Sequence, residues 1–201
     1  LSLENKDFAI LTILSNAVKK MSEGELLQIE KTRNLNFDET VYYDIINGKT
    51  ASLLASSCSA GAASVTKDEA IIEKMKNFGE QVGMAFQIKD DLFDYGDVKV
   101  GKPTGNDIKE KKLTLPLIHI LQKCSPALKK EIVYIVKNNN NDKRKVKFVI
   151  DNVKQLGGIE YAHAKMIEYR DKALIVLHSF PPSNTRDALE ELVRYTTDRK
   201  Y

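Results

Sequence analysis

The chain has 201 residues, of which 42% are hydrophobic, enough to bury one sizeable core. Its 31 basic and 28 acidic residues give a formal charge of +3, a surplus too small to predict a surface for nucleic acid. The chain has only 10 glycines and 5 prolines, and apolar residues recur at helical spacing along most of its length. Composition therefore predicts a single all-α domain over residues 1–201.

The cysteines and the hydropathy pattern predict a cytoplasmic protein. Cys58 and Cys124 lie far apart, and the sequence shows neither a signal peptide nor an apolar run of about 18 residues. Free thiols in a reducing compartment are expected. The basic stretch 142–147 would give at most peripheral contact with an anionic membrane, and a solvated helix start is the alternative.

The predicted helices follow one another along the whole chain. The first spans 7–33, with Gly24 as a candidate break, and the second begins at Asp38 and runs to about residue 65. Thr66 and Glu69 have capping-box spacing, which predicts that a third helix begins at Lys67. A loop is predicted over 96–104. Further helices are predicted over 113–123, 126–136, 143–155, 158–178 and 184–199. The predicted architecture is a large helical bundle.

The third helix carries an acidic motif of the form D-D-x-x-D. At about 100° per residue, four polar side chains share one face: Gln87, Asp90, Asp91 and Asp94. Val82, Phe86 and Phe93 fall on another face and are predicted to anchor the helix in the core. Neighbouring carboxylates repel one another unless a cation screens them, and Mg²⁺ commonly joins carboxylates to phosphates. The motif indicates a magnesium-diphosphate site, with a solvated acidic face as the alternative.

Two lysines follow this motif closely. Lys102 lies in the glycine-containing segment 101–107, and Lys112 begins the segment 112–116. A flexible loop that holds cations beside a metal site would clamp a phosphate that the metal also binds. Solvated loop lysines are the alternative.

The order of these motifs resembles the trans-polyprenyl diphosphate synthases, the polyprenyl synthetase family. The matching segments are Gly48-Lys49-Thr50-Ala51, Phe86-Gln87 with the three aspartates, Gly101-Lys102-Pro103 and Lys112-Leu113-Thr114-Leu115-Pro116. The resemblance covers mainly residues 20–120 and is strongest to bacterial long-chain members of the heptaprenyl and octaprenyl type. It implies an isoprenoid synthase-type bundle around a central cavity. The implied activity is a prenyltransferase that condenses isopentenyl diphosphate with an allylic diphosphate.

The resemblance also implies roles for individual residues. Three carboxylates would bind Mg²⁺: Asp90, Asp91 and Asp94. Three lysines would contact the substrate diphosphate, together with Gln87 and Asp90: Lys49, Lys102 and Lys112. The oxygens of Thr50 and Gln87 would face the developing carbocation, and Asp107 would reach a metal through water. Family members form homodimers, through helices similar to residues 7–65.

Part of the family pattern is not found in this sequence. The family uses a second D-D-x-x-D, paired arginines and a glycine-lysine-arginine segment, whereas this sequence has one Asp-Asp pair. In relatives these elements precede the segment resembling residues 1–28, so we expect that the N-terminal third is missing and that residues 1–201 alone give no useful turnover. The residues that set product length lie there too.

Other functions fit parts of the sequence. A non-catalytic helical subunit of an active synthase, a farnesyl or geranylgeranyl diphosphate synthase, and a terpene cyclase are the alternatives. Cyclases carry a different second metal motif, which is not found near Asp90. Glu160 and His163 have the spacing of a di-iron ligand pair, but no second copy exists, so a surface or core histidine is favoured.

Overall fold

A computed structural model describes residues 2–5, 7–34, 38–96 and 104–199. All regular elements within these ranges are helical, which confirms the all-α prediction. The helices are α1 (Phe8–Asn34), α2 (Glu39–Ile46), a π-helical turn (Asn47–Ala51), α3 (Ser52–Ala63), α4 (Glu69–Phe93), α5 (Asn106–Lys109), α6 (Leu115–Lys123), α7 (Pro126–Asn138), α8 (Lys143–Gln155), α9 (Gly158–His178) and α10 (Asn184–Asp198). None of the helices in this part of the chain is long and apolar enough to cross a bilayer.

Helix α1 is continuous, and the candidate break at Gly24 does not occur. Gly24 instead lies against the π-turn, where a Cβ atom would come within 2.7 Å of the Lys49 amide nitrogen. Gly48 approaches α1 from the other side, because its own Cβ would lie 3.1 Å from the Gly24 Cα. The two glycines therefore allow the backbone of α1 to pack directly on the backbone of the π-turn.

The predicted second helix consists of α2, the π-turn and α3. Asp38 is the N-cap, and its carboxylate accepts a hydrogen bond from the Thr40 amide at 2.9 Å. The π-turn then inserts extra residues at Asn47–Ala51, the segment that contains Lys49 and Thr50. Single π-turns within α-helices occur frequently at functional sites, and apolar periodicity gives no signal for them.

Helix α4 begins at Glu69 rather than at the predicted Lys67. The Asp68 carboxylate accepts hydrogen bonds from the amides of Ala70 and Ile71, at 2.9 and 3.4 Å, and this makes Asp68 the N-cap. The prediction was wrong because it took Thr66 as the cap, whereas the aspartate two residues later supplies the acceptor.

The C-terminal half follows the predicted order closely. Helices α8 and α9 have the predicted bounds, α6 begins two residues later, and α7 and α10 end within two residues of the predicted positions. The four-residue helix α5 was not predicted. Of the predicted loop 96–104, only the ends lie within the described residues. Three apolar clusters hold these helices together, and the one between α2, α4, α6 and α9, which includes Ile88 and Leu115, supports the polar face of α4.

Candidate active site

A cavity of about 410 Å³ opens between α1, α2, the π-turn, the C-terminal half of α4 and the segment 104–118. Eight of the nine predicted site residues line it: Lys49, Thr50, Gln87, Asp90, Asp91, Asp94, Asp107 and Lys112. Lys102 lies outside the described residues. The structure thus brings together groups that are up to 63 positions apart in the sequence, from Lys49 to Lys112.

Asp91 is the most deeply buried of the three aspartates, at 6% exposure. Its Oδ2 accepts a hydrogen bond from the Tyr42 hydroxyl at 2.7 Å, and its Oδ1 accepts one from Gln87 Nε2 at 3.0 Å. Burial raises the pKa of Asp91 to about 7, and the negative charge of Asp107 adds to this, although the two hydrogen bonds oppose it. Both Asp91 oxygens are therefore engaged by donors from the protein itself.

Asp94 is also buried, but one of its oxygens has no donor. Oδ1 accepts a hydrogen bond from the Asp107 amide at 3.2 Å, while Oδ2 has no hydrogen-bond partner among the described residues. Burial, with the charge of Asp107, raises the pKa of Asp94 to about 6. An unpartnered buried carboxylate oxygen is destabilising unless a cation or water reaches it. Asp90 is exposed on the same wall, so its carboxylate is also accessible from the cavity.

These oxygens fit a hard cation shared with a substrate phosphate. Within the described residues, no group of three acidic, histidine or cysteine side chains is already arranged around a metal position. Asp91 turns towards Tyr42 instead, so the three predicted carboxylates do not form one cluster. Mg²⁺ commonly takes one or two carboxylates and completes its shell with phosphate oxygens and water. Asp90 and Asp94 meet that requirement.

Two of the three lysines predicted to contact the diphosphate, Lys49 and Lys112, form ion pairs beside the cavity. Lys49 Nζ lies 2.8 Å from Glu25 Oε2 and donates a hydrogen bond to Gln28 Oε1 at 3.0 Å. Lys112 Nζ lies 2.5 Å from Glu110 Oε2 and 3.3 Å from an oxygen of Asp107. The side chains of both lysines are about 40% exposed, and pairs of this kind contribute at most about 1 kcal/mol. An incoming diphosphate can therefore replace these carboxylates at little cost.

The two aromatic residues predicted to anchor α4 do so only in part. Val82 is buried in the core as predicted, whereas Phe86 and Phe93 are half-buried and Phe93 lines the cavity. The Arg199 guanidinium lies 4.5 Å from the Phe86 ring centroid and 5.2 Å from that of Phe93. The prediction was wrong for the phenylalanines in that both rings are only half-buried and a guanidinium packs against them.

The polar residues of this site that sequence reasoning missed include Glu25, Gln28 and Tyr42. Tyr42 lies seven residues, about two helical turns, before Lys49, and that spacing was one available signal. Glu25 and Gln28 belong to a different helix, and their contacts with Lys49 depend on the close packing of α1 on the π-turn. His163 was predicted to lie either on the surface or in the core. It lies on the surface, since both His163 and Glu160 are exposed.

Comparison with known proteins identifies the family. The family model for polyprenyl synthetases matches residues 1–153. The chain belongs to the polyprenyl synthetase family. Component 2 of the heptaprenyl diphosphate synthase of Bacillus subtilis is 32% identical over 191 residues, which cover 94% of this chain and 54% of that protein. The octaprenyl diphosphate synthase of Escherichia coli is 31% identical over 195 residues, covering 94% and 59%.

Solved structures of polyprenyl synthetases share the fold. A geranylgeranyl pyrophosphate synthase from Bacteroides thetaiotaomicron has a TM-score of 0.89 at 40% identity, covering 96% of this chain and 64% of that one. A polyprenyl synthase from Caulobacter crescentus, complexed with calcium and isoprenyl diphosphate, has a TM-score of 0.92 at 32% identity, covering 99% and 61%. The bundle is therefore of the isoprenoid synthase type. The chain spans between half and two thirds of the length of these relatives.

The burial of Asp91 predicts a specific dependence of stability on pH. Its folded-state pKa of about 7 lies well above the value near 4 of an unfolded chain, so the folded protein retains a proton between about pH 4 and pH 7. The free energy of unfolding should fall as pH rises through this window, by up to about 4 kcal/mol. In EDTA, the isosteric variant Asp91→Asn should be more stable than the wild type at pH 8 and lose that advantage towards pH 5. Urea denaturation at several pH values measures this, and a constant difference would contradict it.

Proposed function

We propose that the protein is a prenyltransferase that condenses isopentenyl diphosphate with an allylic diphosphate to make a trans-polyprenyl diphosphate. The observation that carries the proposal is the cavity itself, in which Lys49 and Lys112 line the same space as Asp90 and Asp94. Cations and carboxylates on one wall suit a diphosphate bound together with a metal. Family membership supports the reaction class. We further propose that residues 1–201 belong to one domain.

Mg²⁺ is the proposed metal, and Asp90 and Asp94 are the residues that would hold it. Bound there, it would supply Lewis-acid stabilisation of the charge that develops on the leaving diphosphate. The Caulobacter relative is complexed with calcium and isoprenyl diphosphate, which supports a divalent cation and a diphosphate as ligands. Asp107 is half-buried beside Asp94 and would hold a water between itself and the cation.

The remaining cavity residues would bind and orient the allylic substrate. Lys49 and Lys112 exchange their carboxylate partners for diphosphate oxygens, which offsets the substrate charge. Thr50 and Gln87 direct oxygen dipoles at the carbon that becomes cationic. Apolar side chains such as Val41 and Ile45 line the same cavity and would contact the prenyl chain. Loss of a proton, for which the released pyrophosphate is the proposed base, completes the condensation.

Binding and turnover of the 201-residue chain test this proposal separately. We expect Mg²⁺-dependent binding of farnesyl diphosphate by calorimetry, with at least tenfold weaker binding in EDTA, since the phosphate-bridging cation is then removed. We expect no elongation of farnesyl diphosphate with isopentenyl diphosphate, because the sequence carries a single Asp-Asp pair. Equal binding in EDTA would contradict the metal site, and measurable elongation would contradict the predicted inactivity.

The relatives bear on product length in two ways. Heptaprenyl and octaprenyl diphosphate synthases are among the curated relatives, and they favour a long-chain product. The 40% identical geranylgeranyl pyrophosphate synthase makes a short-chain product the alternative.

We propose a homodimer as the assembly and the cytoplasm as its location. Three apolar side chains on α1 are more than 60% exposed: Phe8, Val18 and Leu26. A second copy that covers this face would remove them from water. The relative named as component 2 supports a heteromeric assembly as the second candidate. Free Cys58 and Cys124 suit a reducing compartment.

A further inference from the structure

A chain of hydrogen bonds runs along the cavity wall and joins α2, α4 and the π-turn. The Tyr42 hydroxyl donates to Asp91 Oδ2 at 2.7 Å, and Gln87 Nε2 donates to Asp91 Oδ1 at 3.0 Å. Thr50 Oγ1 donates to Gln87 Oε1 at 2.9 Å. All four residues line the cavity, and Tyr42 is only 4% exposed. This series of hydrogen bonds therefore begins at the buried Tyr42 and reaches the proposed reaction space at Thr50.

The Asp91 carboxylate sets the direction of each hydrogen bond in this series. An ionised Asp91 accepts hydrogen bonds and donates none, so it binds the NH₂ group of Gln87 and turns the amide oxygen away from itself. That oxygen accepts the single hydroxyl proton of Thr50. The lone pairs of Thr50 Oγ1 and Gln87 Oε1 remain available to the cavity. The negative ends of both dipoles therefore lie where a positive charge would be stabilised.

Tyr42 holds the carboxylate in the position that this arrangement needs. Its hydroxyl occupies the second Asp91 oxygen, and its ring is part of the apolar cluster that includes Ile46 and Ile88. With both oxygens engaged, Asp91 differs from Asp94, whose Oδ2 has no hydrogen-bond partner among the described residues. Asp91 is thus placed to orient its neighbours and Asp94 to contact a ligand.

We propose that Tyr42 and Asp91 are positioning residues, which orient the Gln87 amide and the Thr50 hydroxyl so that both present oxygen lone pairs to the allylic cation. This rests on the proposed function, since the cation forms only if an allylic diphosphate is ionised there. The inference assigns Asp91 a role other than direct metal binding.

Two analogues of an allylic diphosphate test the proposal on the 201-residue chain with Mg²⁺ at about pH 8, above the pKa of Asp91 of about 7, so that its carboxylate is ionised. One carries a protonated nitrogen in place of the carbon that would become cationic, and the other is a thiolo-diphosphate of the same chain length with an uncharged carbon at that position. Calorimetry gives the preference for the cationic analogue as the ratio of the two dissociation constants. The wild type should prefer the cationic analogue. Asp91→Asn and Tyr42→Phe should each lower that preference about tenfold, the effect of roughly one misdirected hydrogen-bonding dipole.

Two control variants separate orientation from charge and from a general loss of structure. Asp38→Asn removes a carboxylate charge from the same cavity without touching Gln87, and asparagine can still cap α2. This variant should change the preference by less than about threefold, which is less than half of the expected tenfold effect on a logarithmic scale. Tyr43→Phe removes a neighbouring hydroxyl that donates to Glu39 at 3.0 Å, and should leave the preference unchanged. Circular dichroism confirms that each variant is folded, and Tyr42→Phe carries the test if Asp91→Asn does not fold.

A spectroscopic measurement reports the amide orientation directly. The side-chain NH₂ signals of Gln87 in a ¹⁵N-correlated NMR spectrum should exchange slowly with water in the wild type and in Asp38→Asn, and rapidly in Asp91→Asn. Equal losses of preference in Asp91→Asn and Asp38→Asn would overturn the proposal in favour of simple charge attraction. Loss of both analogues in Asp91→Asn would overturn it in favour of direct metal binding. A wild type that binds both analogues equally would overturn this inference alone, whereas one that binds neither would overturn the proposed function with it.

Discussion

Replacing Asp90 and Asp94 together by asparagine is expected to abolish Mg²⁺-dependent binding of inorganic pyrophosphate at concentrations that saturate the wild type. Asp90 offers an accessible carboxylate, and Asp94 Oδ2 is buried without a partner among the described residues, so both lie ready for a cation. Losing one partner of a desolvated charge pair costs about 2–5 kcal/mol. Because Asp94 is buried, the weakening for Asp94→Asn alone should therefore be about 30-fold or more. Calorimetry with pyrophosphate at fixed Mg²⁺ measures it.

The control for these variants is an aspartate outside the cavity. Asp151 forms an exposed pair with Lys147 at 2.9 Å, so Asp151→Asn should bind pyrophosphate as the wild type does. Because Asp94 is destabilised by burial, Asp94→Asn should be at least as stable as the wild type in EDTA, which separates lost binding from lost folding. Wild-type affinity in the double variant would show that the cation, if it binds, does so elsewhere.

The fold could be predicted because it depends on local signals. Apolar spacing, caps such as Asp38 and separators such as Gly157 act within a few residues, and the helices they predict agree with the structure to within two residues at most ends. The π-turn could not be predicted, because Asn47–Ala51 has no distinguishing apolar pattern and its geometry follows from packing between α1 and α4. Periodicity gives no signal for such an insertion.

The candidate site could be predicted by residue but not by role. The helical arc placed Asp90, Asp91 and Asp94 on one face, and all three line the cavity. Their environments nevertheless differ. The Tyr42 hydroxyl, from another helix, donates a hydrogen bond to Asp91, whereas no described group donates one to Asp94 Oδ2. The difference between their environments arises from a contact across 49 positions, which single-helix geometry cannot supply.

Gly83→Ala is expected to destabilise the folded chain by about 2 kcal/mol or more, although alanine is the better helix former. Gly83 lies in the middle of α4, and a Cβ atom there would come within 2.5 Å of the Ala51 Cα in the π-turn. Overpacking of this kind typically costs about 1–3 kcal/mol, and here the obstacle is backbone, which cannot rotate away as a side chain would. The π-turn would have to move, and Lys49 and Thr50 would move with it.

Gly61→Ala provides a matched comparison in a second helix. Gly61 lies within α3, and a Cβ atom there would meet no atom of another described element within 4 Å, so alanine should stabilise the chain by about 0.5–1 kcal/mol through helix propensity. The two variants make the same chemical change and should shift the urea midpoint in opposite directions. Gly83→Ala should also weaken Mg²⁺-pyrophosphate binding, whereas Gly61→Ala should not. If both substitutions stabilised the chain equally, α4 and the π-turn could not be in the close backbone contact that positions Lys49.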